Sequence, residues 1–228
     1  MAKDLSRSRE IHEVVGYQLK AYDGGLKAFT YWEVSQAAIH CPACNGTFDF
    51  EAVSKQVRAN GPWQIASARG RIIVGNQVRD FCRRHGYRDV MFPILDSRRQ
   101  LFELRPERLL EVDLERSQPI LTDFCTRCGN FQCYLLGQGL FFRGVSEALP
   151  SGFYRTNIAF GCGMSKSPLV IVAPKTMREL RGEHLRGLKF KAVPFVDPDY
   201  TRRKAQILEN ALLASRESMT RRRPTRQF

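Results

Sequence analysis

The sequence predicts an α+β fold: a mostly antiparallel sheet with a few helices, closed by a pair of cysteine knuckles that joins its N-terminal and C-terminal parts. Three observations predict it. Short alternating or β-rich apolar stretches recur between glycine and proline breaks. Few stretches carry apolar residues at helical spacing. Two CxxC pairs, Cys41-Pro42-Ala43-Cys44 and Cys125-Thr126-Arg127-Cys128, stand far apart along the chain.

Taken in order, residues 1–13 form a polar lead-in with no apolar h-region, which predicts no secretory signal. Residues 14–29 surround the turn signal Asp23-Gly24-Gly25, which predicts a hairpin. Tyr31-Trp32-Glu33-Val34 has strand content and leads into the first knuckle. Its two aromatic residues read as core. Residues 48–60 are polar and end at the breaker Gly61-Pro62. Between Arg71 and His85, the residues Val74, Val78, Phe81 and Cys82 recur at helical spacing. Gly86 follows as a C-cap, and Arg83 and Arg84 suit the negative end of the helix dipole. Cys82 falls on the apolar stripe as a buried free thiol, and His85 as a helix-end residue.

Val90 to Leu95 reads as a strand, at an edge or bulged because of Pro93. Gln100 to Leu104 and Leu109 to Leu114 alternate as half-exposed strands. Cys133 has the wrong spacing for either knuckle and reads as core. Tyr134 to Phe142 reads as a turn between short strands or a bulged strand. Pro168 to Ala173 is a short apolar strand, and Pro174 suits the first position of a helix carrying Met177, Leu180, His184 and Leu185. Gly187 ends that helix, and Leu188 to Val193 alternates as a strand. Asp199 can cap a last helix with Ile207, Leu208, Ala211 and Leu212 on one face. The expected organisation is one domain over residues 1–198, then a basic helix and disordered tail over 199–228.

The cysteine pairs carry the chemistry. Two residues between cysteines let both sulfurs of a pair reach one ion, and four thiolates complete a tetrahedral site. The chain must turn back after the second cysteine. Gly129 tolerates the positive φ this needs, as does Asn45, with Gly46 behind it. Cys41, Cys44, Cys125 and Cys128 are therefore the expected ligands of a structural Zn2+, with Arg127 offsetting part of their charge. The separation of the pairs exceeds that of compact fingers, so the metal would clamp parts of a larger domain. Such sites contribute on the order of 10 kcal/mol at neutral pH. The competing readings are two unrelated pairs, buried or disulfide-bonded, and thioredoxin-type redox chemistry. The second needs a helix directly after the motif, and neither pair sits before a clear helical pattern.

The chain of 228 residues has a formal charge of +13, unevenly spread. Residues 61–100 hold eight basic and three acidic side chains, and residues 201–228 eight and two. Such segments attract polyanions or an acidic partner. Seven cysteines cannot all pair within one chain. With no leader expected, this predicts a reducing, cytoplasmic setting. Apolar runs are too short to span a bilayer, so no membrane partner is expected. There is no P-loop, GxGxxG, HExxH or GxSxG, and the histidines are scattered. Nothing argues for an enzyme.

With CPACNG and CTRCGN, the segment FYRTNIAF and the ending SPLVIVAPKTMRELRGEHLRGLKFKAVP, the chain resembles the double-CxxCG family of myxobacterial proteins. Phe153, Arg155 and Asn157 match its "FR–N" segment. Leu185, Gly187, Leu188, Phe190 and Pro194 match its ending. Asn45 replaces a family glycine, and the Gly-Cys-Gly around Cys162 and the basic tail are additions. The resemblance implies a bacterial immunity protein that binds and neutralises a cognate toxin. The alternative expectation is a zinc-stabilised protein binding nucleic acid through its basic segments.

Overall fold

A computed structural model describes residues 14–21, 29–32, 41–44, 56–59, 64–68, 70–98, 100–137 and 139–194. The turn at 23–25, the histidines His12 and His40, the residues Asn45 and Gly46, and everything expected beyond Pro194 lie outside the described residues. By its internal contacts the chain divides into Met1–Pro194 and Phe195–Phe228, and all described residues belong to the first part.

The fold is a mostly antiparallel α+β arrangement. The strands in chain order are β1 Val14–Ala21, β2 Phe29–Trp32, β3 Gln56–Ala59, β4 Ile65–Ala68 and β5 Arg71–Val74. Then come β6 Val90–Met91, β7 Ile94–Asp96, β8 Leu101–Glu103, β9 Arg105–Pro106 and β10 Leu109–Leu110. The last five are β11 Ile120–Cys125, β12 Asn130–Leu135, β13 Phe153–Cys162, β14 Ser167–Val172 and β15 Leu188–Pro194. Three α-helices are described: α1 Asn76–Arg84, α2 Leu114–Ser117 and α3 Pro174–Gly182. The largest sheet runs β11-β12-β13-β14-β1-β15, with β10 parallel to the start of β13. A second sheet runs β4-β5-β8-β7, and β2-β3 and β6-β9 form separate pairs.

The centre of the large sheet is buried on both faces. Val170 and Val172 of β14 join one core cluster with Tyr17, Leu19 and Phe153 of the sheet and Phe81 and Leu180 of α1 and α3. Ile171 and Ala173 join a second cluster with Leu110, Leu140, Phe142 and Leu149. This is why β14 reads as a continuous apolar run. The β14–α3–β15 crossover is the strand–helix–strand unit expected from sequence, with Pro174 in the first turn of α3. Its two strands do not pair, because β1 lies between them, antiparallel to both.

Of the hairpin expected across residues 14–29, only β1 and Phe29 are described. Both edges of β1 are taken by β14 and β15, and β2 pairs with β3. The helix expected over 71–85 starts only at Asn76. Ile72, Ile73 and Val74 are β-branched and pair as a strand with β4, and Gly75 is the break. The rest of that expectation holds: Val78, Phe81 and Cys82 are buried, His85 is the C-cap, and Gly86 has φ 71. The strand expected to Leu114 ends at Leu110, because Asp113 Oδ1 accepts from Arg116 N at 3.0 Å and starts α2. Strand β8, expected half-exposed, is buried throughout, since Glu103 is neutralised by Arg71 and Arg105. The region around Tyr134 splits: β12 continues to Leu135, and Phe142 makes an isolated bridge to Val112. The helix carrying Met177 stops at Gly182, and Leu185 is buried beyond its end. Gly161 and Cys162 belong to β13. At Gly161 φ is 117, and a Cβ would lie 2.7 Å from Ser165 O.

Candidate metal centre

The second knuckle is the turn between β11 and β12. Their ladder sets Cys125 opposite Asn130, so the intervening four residues must reverse the chain. Gly129 takes φ 69 and its N–H donates to Cys125 O at 2.9 Å. The requirement read from sequence at this position is therefore met. Asn130 Nδ2 donates to Cys128 O at 3.1 Å and tightens the same turn. The first knuckle, Cys41–Cys44, is also a turn, with Cys41 buried and Cys44 half-buried. Gln132 Nε2 of β12 donates to Cys44 O at 3.0 Å, tying the two knuckles through a backbone carbonyl.

The ligand atoms of Cys41, Cys44, Cys125 and Cys128 all lie within 4.8 Å of one another. Cys41 Sγ is 3.9 Å from Cys125 Sγ, and Cys44 Sγ is 3.8 Å from Cys128 Sγ. Each close contact thus joins one knuckle to the other across 84 residues. A disulfide needs about 2.05 Å, so these pairs are thiols. A metal–sulfur bond of about 2.3 Å gives a tetrahedron whose sulfur–sulfur edge is about 3.8 Å. The donor set fits a thiophilic ion, and four protein ligands leave no open position for substrate. The unrelated-pairs reading fails for this reason. The second pair is followed by strand β12 and not by the helix that redox catalysis of the thioredoxin type requires.

The knuckles also prepare their thiols to lose protons. Backbone N–H groups of Ala43 and Cys44 point at Cys41 and lower its pKa to about 7. The N–H groups of Cys128 and Arg127 lower that of Cys125 in the same way. Arg127, expected to offset the thiolate charge, is exposed. The buried ammonium is Lys166, only 9% exposed, whose Nζ donates to Phe131 O at 3.0 Å and sits 4.8 Å over the Tyr134 ring. Burial lowers its pKa, and the negative charges of Cys128 and Cys44 oppose that shift. Sequence inspection missed Lys166, because it lies near neither knuckle along the chain and no local pattern marks it.

The remaining cysteines separate. Cys133 and Cys162 face each other across the β12–β13 ladder, with Cα atoms 4.1 Å apart, and form a disulfide. Cys133 is half-buried, so the core placement read from its spacing is corrected. Cys82 is buried and unpaired, and burial pushes its thiol up to about 12. Of the other residues behind the family resemblance, Phe153 and Leu185 pack in the core. Asn157 Oδ1 accepts from Val112 N at 2.9 Å. Arg155 lines a recess away from the cysteines. Among the described residues, no helix is long and apolar enough to cross a membrane. Comparison with protein-family models and with curated proteins found no match to this chain.

Proposed function

We propose that the chain is a non-enzymatic bacterial immunity protein that binds and neutralises a cognate toxin in the cytoplasm, with a structural Zn2+ at Cys41, Cys44, Cys125 and Cys128. The observation that carries this reading is the meeting of the two knuckles. The same two motifs that define the family resemblance supply one four-sulfur cluster. Tetrahedral thiolate sites select zinc or iron, and a site with no redox or substrate task needs only zinc's closed geometry.

A second observation supports a protein partner over nucleic acid. The hairpin that carries the second knuckle exposes apolar side chains: Ile120 at 53%, Phe124 at 55% and Leu135 at 42%. Among the described strands, β11 is also the edge of the large sheet. An apolar edge held rigid beside a metal suits contact with another protein surface. The charge on residues 61–100 gives the nucleic-acid reading its remaining support.

The test is co-expression with the product of a neighbouring gene, scoring whether that product is toxic alone, rescue of growth and co-purification. Rescue by the native chain and its loss in Phe124→Ser support neutralisation through this hairpin. Lack of rescue, with salt-sensitive shifting of generic DNA or RNA, would replace the reading by the nucleic-acid one. Metal analysis of the purified chain should find one zinc per molecule, and a coloured iron centre would refute zinc. A reducing cytoplasm would hold Cys133 and Cys162 as thiols, which alkylation before lysis and peptide mass spectrometry would register.

A further inference from the structure

The hairpin that carries the second knuckle meets the centre of the large sheet along a short ladder. Among the described strands, β12 pairs with β13 through Cys133 opposite Cys162 and Tyr134 opposite Gly161. Neither β11 nor β12 has a fully buried side chain, so little apolar area holds the hairpin in place. The loop after β13 adds a polar contact, since Lys166 Nζ donates to Phe131 O at 3.0 Å and lies 4.8 Å over the Tyr134 ring. The bond between Cys133 and Cys162 therefore falls on the seam itself, and it joins residues 29 apart in sequence.

That bond is open to reagents. Cys162 is exposed and Cys133 half-buried. A Cβ added at the next residue, Gly163, would meet nothing within 4 Å, so there is free space beside Cys162. The Cα atoms, 4.1 Å apart, match the closer, non-hydrogen-bonded kind of antiparallel pair, in which facing side chains lie side by side. The ladder thus keeps the sulfurs adjacent, and opening or closing the bond needs no change of register. Exposed disulfides are the ones that exchange with small thiols. The other cysteines are placed differently: four form the cluster, and Cys82 is only 1% exposed.

We propose that Cys133 and Cys162 form a reversible thiol–disulfide exchange site that latches the knuckle-bearing hairpin to β13. Closing uses a small-molecule disulfide of the glutathione class. The Cys162 thiolate, its proton released to water, attacks one sulfur of that disulfide and displaces one small thiolate. The Cys133 thiolate then attacks the Cys162 sulfur of the mixed disulfide and displaces the second. Two protein thiols are oxidised, and one small disulfide is reduced to two thiols. Opening is the reverse: a small thiolate attacks the exposed Cys162 sulfur, Cys133 leaves, and a second small thiolate frees Cys162. The closed bond restrains residues 120–135, and the open one leaves them to the ladder, the Lys166 contact and the cluster.

The experiment uses the metal-replete full chain, equilibrated in mixtures of glutathione and glutathione disulfide of graded ratio. Acid quenching, alkylation and peptide mass spectrometry read the state of each cysteine, and hydrogen exchange reads residues 120–135. A single two-electron transition of Cys133 and Cys162 is expected within the range of ratios, with Cys41, Cys44, Cys125 and Cys128 unoxidised. Hydrogen exchange in residues 120–135 should be roughly tenfold or more faster in the open state, with β14 unchanged. Cys133→Ser should hold glutathione on Cys162 as a stable mixed disulfide and exchange hydrogen like the open form at every ratio. A pair fixed in one state at all ratios would overturn the exchange site, and equal hydrogen exchange in both states would overturn the latch. Faster capture of glutathione by Cys133 in Cys162→Ser than by Cys162 in Cys133→Ser would overturn the order of attack. If the variants do not fold, the wild-type titration decides the exchange site and the latch. None of these readouts requires a toxin or the identity of the metal.

Discussion

The centre of the large sheet and its β11–β12 end are held together by different physics. At the centre, β14 and β1 are covered on both faces, and Phe153, Ile171 and Val172 are at most 1% exposed. At the other end, β11 and β12 contain no fully buried side chain, and apolar groups face water. The centre is stabilised by apolar area removed from solvent. The end has little such area and relies on four sulfurs and a few hydrogen bonds. Two cysteines record the contrast. Burial pushes Cys82 up to about 12, whereas the N–H groups of its knuckle pull Cys41 down to about 7. The same thiol is a small apolar filler in one region and a ready ligand in the other. A burial score alone would not separate them, since both are buried, and the donors aimed at the sulfur make the difference.

The comparison breaks first at the metal. Stripping the ion with a strong chelator, or Cys125→Ser, should lower the melting temperature by on the order of 20 °C. Hydrogen exchange should rise first in residues 120–135 and only later in β14. Simultaneous loss of protection in both regions would show that they are one cooperative unit. Next in size, Phe153→Ala should cost about 3–5 kcal/mol in chemical unfolding and leave metal content unchanged. A loss of metal in that variant would tie the two regions together.

A buried polar change at the centre is smaller. Thr156 is 1% exposed, and its hydroxyl donates to Ile158 O at 2.6 Å and accepts from Leu169 N at 2.9 Å. Thr156→Val orphans both partners and should cost about 1–3 kcal/mol. At the exposed end, Phe124→Ser should change stability by less than about 0.5 kcal/mol, so that any loss of rescue reflects binding.

The two cysteines also predict opposite pH limbs. Cys82 holds its proton more tightly when folded, so its contribution is complete below pH 9 and is lost as pH rises toward about 12. Cys82→Ala should flatten that alkaline limb. In the metal-free chain, Cys41 holds its proton less tightly when folded. Its contribution is present above pH 9 and lost as pH falls through about 7. Unfolding midpoints measured across pH, with and without chelator, check both signs.

Much of this was legible along the chain, for local reasons. Apolar runs and helical spacing marked β14, α3 and the buried face of α1, and Gly129 marked the tight turn. Boundaries were less legible where two local rules compete. Val74 continues the helical spacing of Val78 and Phe81, yet it is the last residue of a β-branched run, and the partner strand β4 decided for the strand. Asp113 alternates correctly for a strand, but its carboxylate captures Arg116 N.

By itself the sequence named the four sulfurs that could hold a metal ion and showed how the second knuckle turns, because two-residue spacing and a residue that tolerates positive φ are properties of adjacent bonds. It also determined the α+β character, which follows from periodicity. Only the tertiary structure decided that the two knuckles share one cluster, that Lys166 lies beside them, that Cys133 faces Cys162, and that Arg71 and Arg105 both grip Glu103. Each of those contacts joins residues of different strands, turns or loops. Strand order and register set them, and no local pattern encodes which strand will lie beside which.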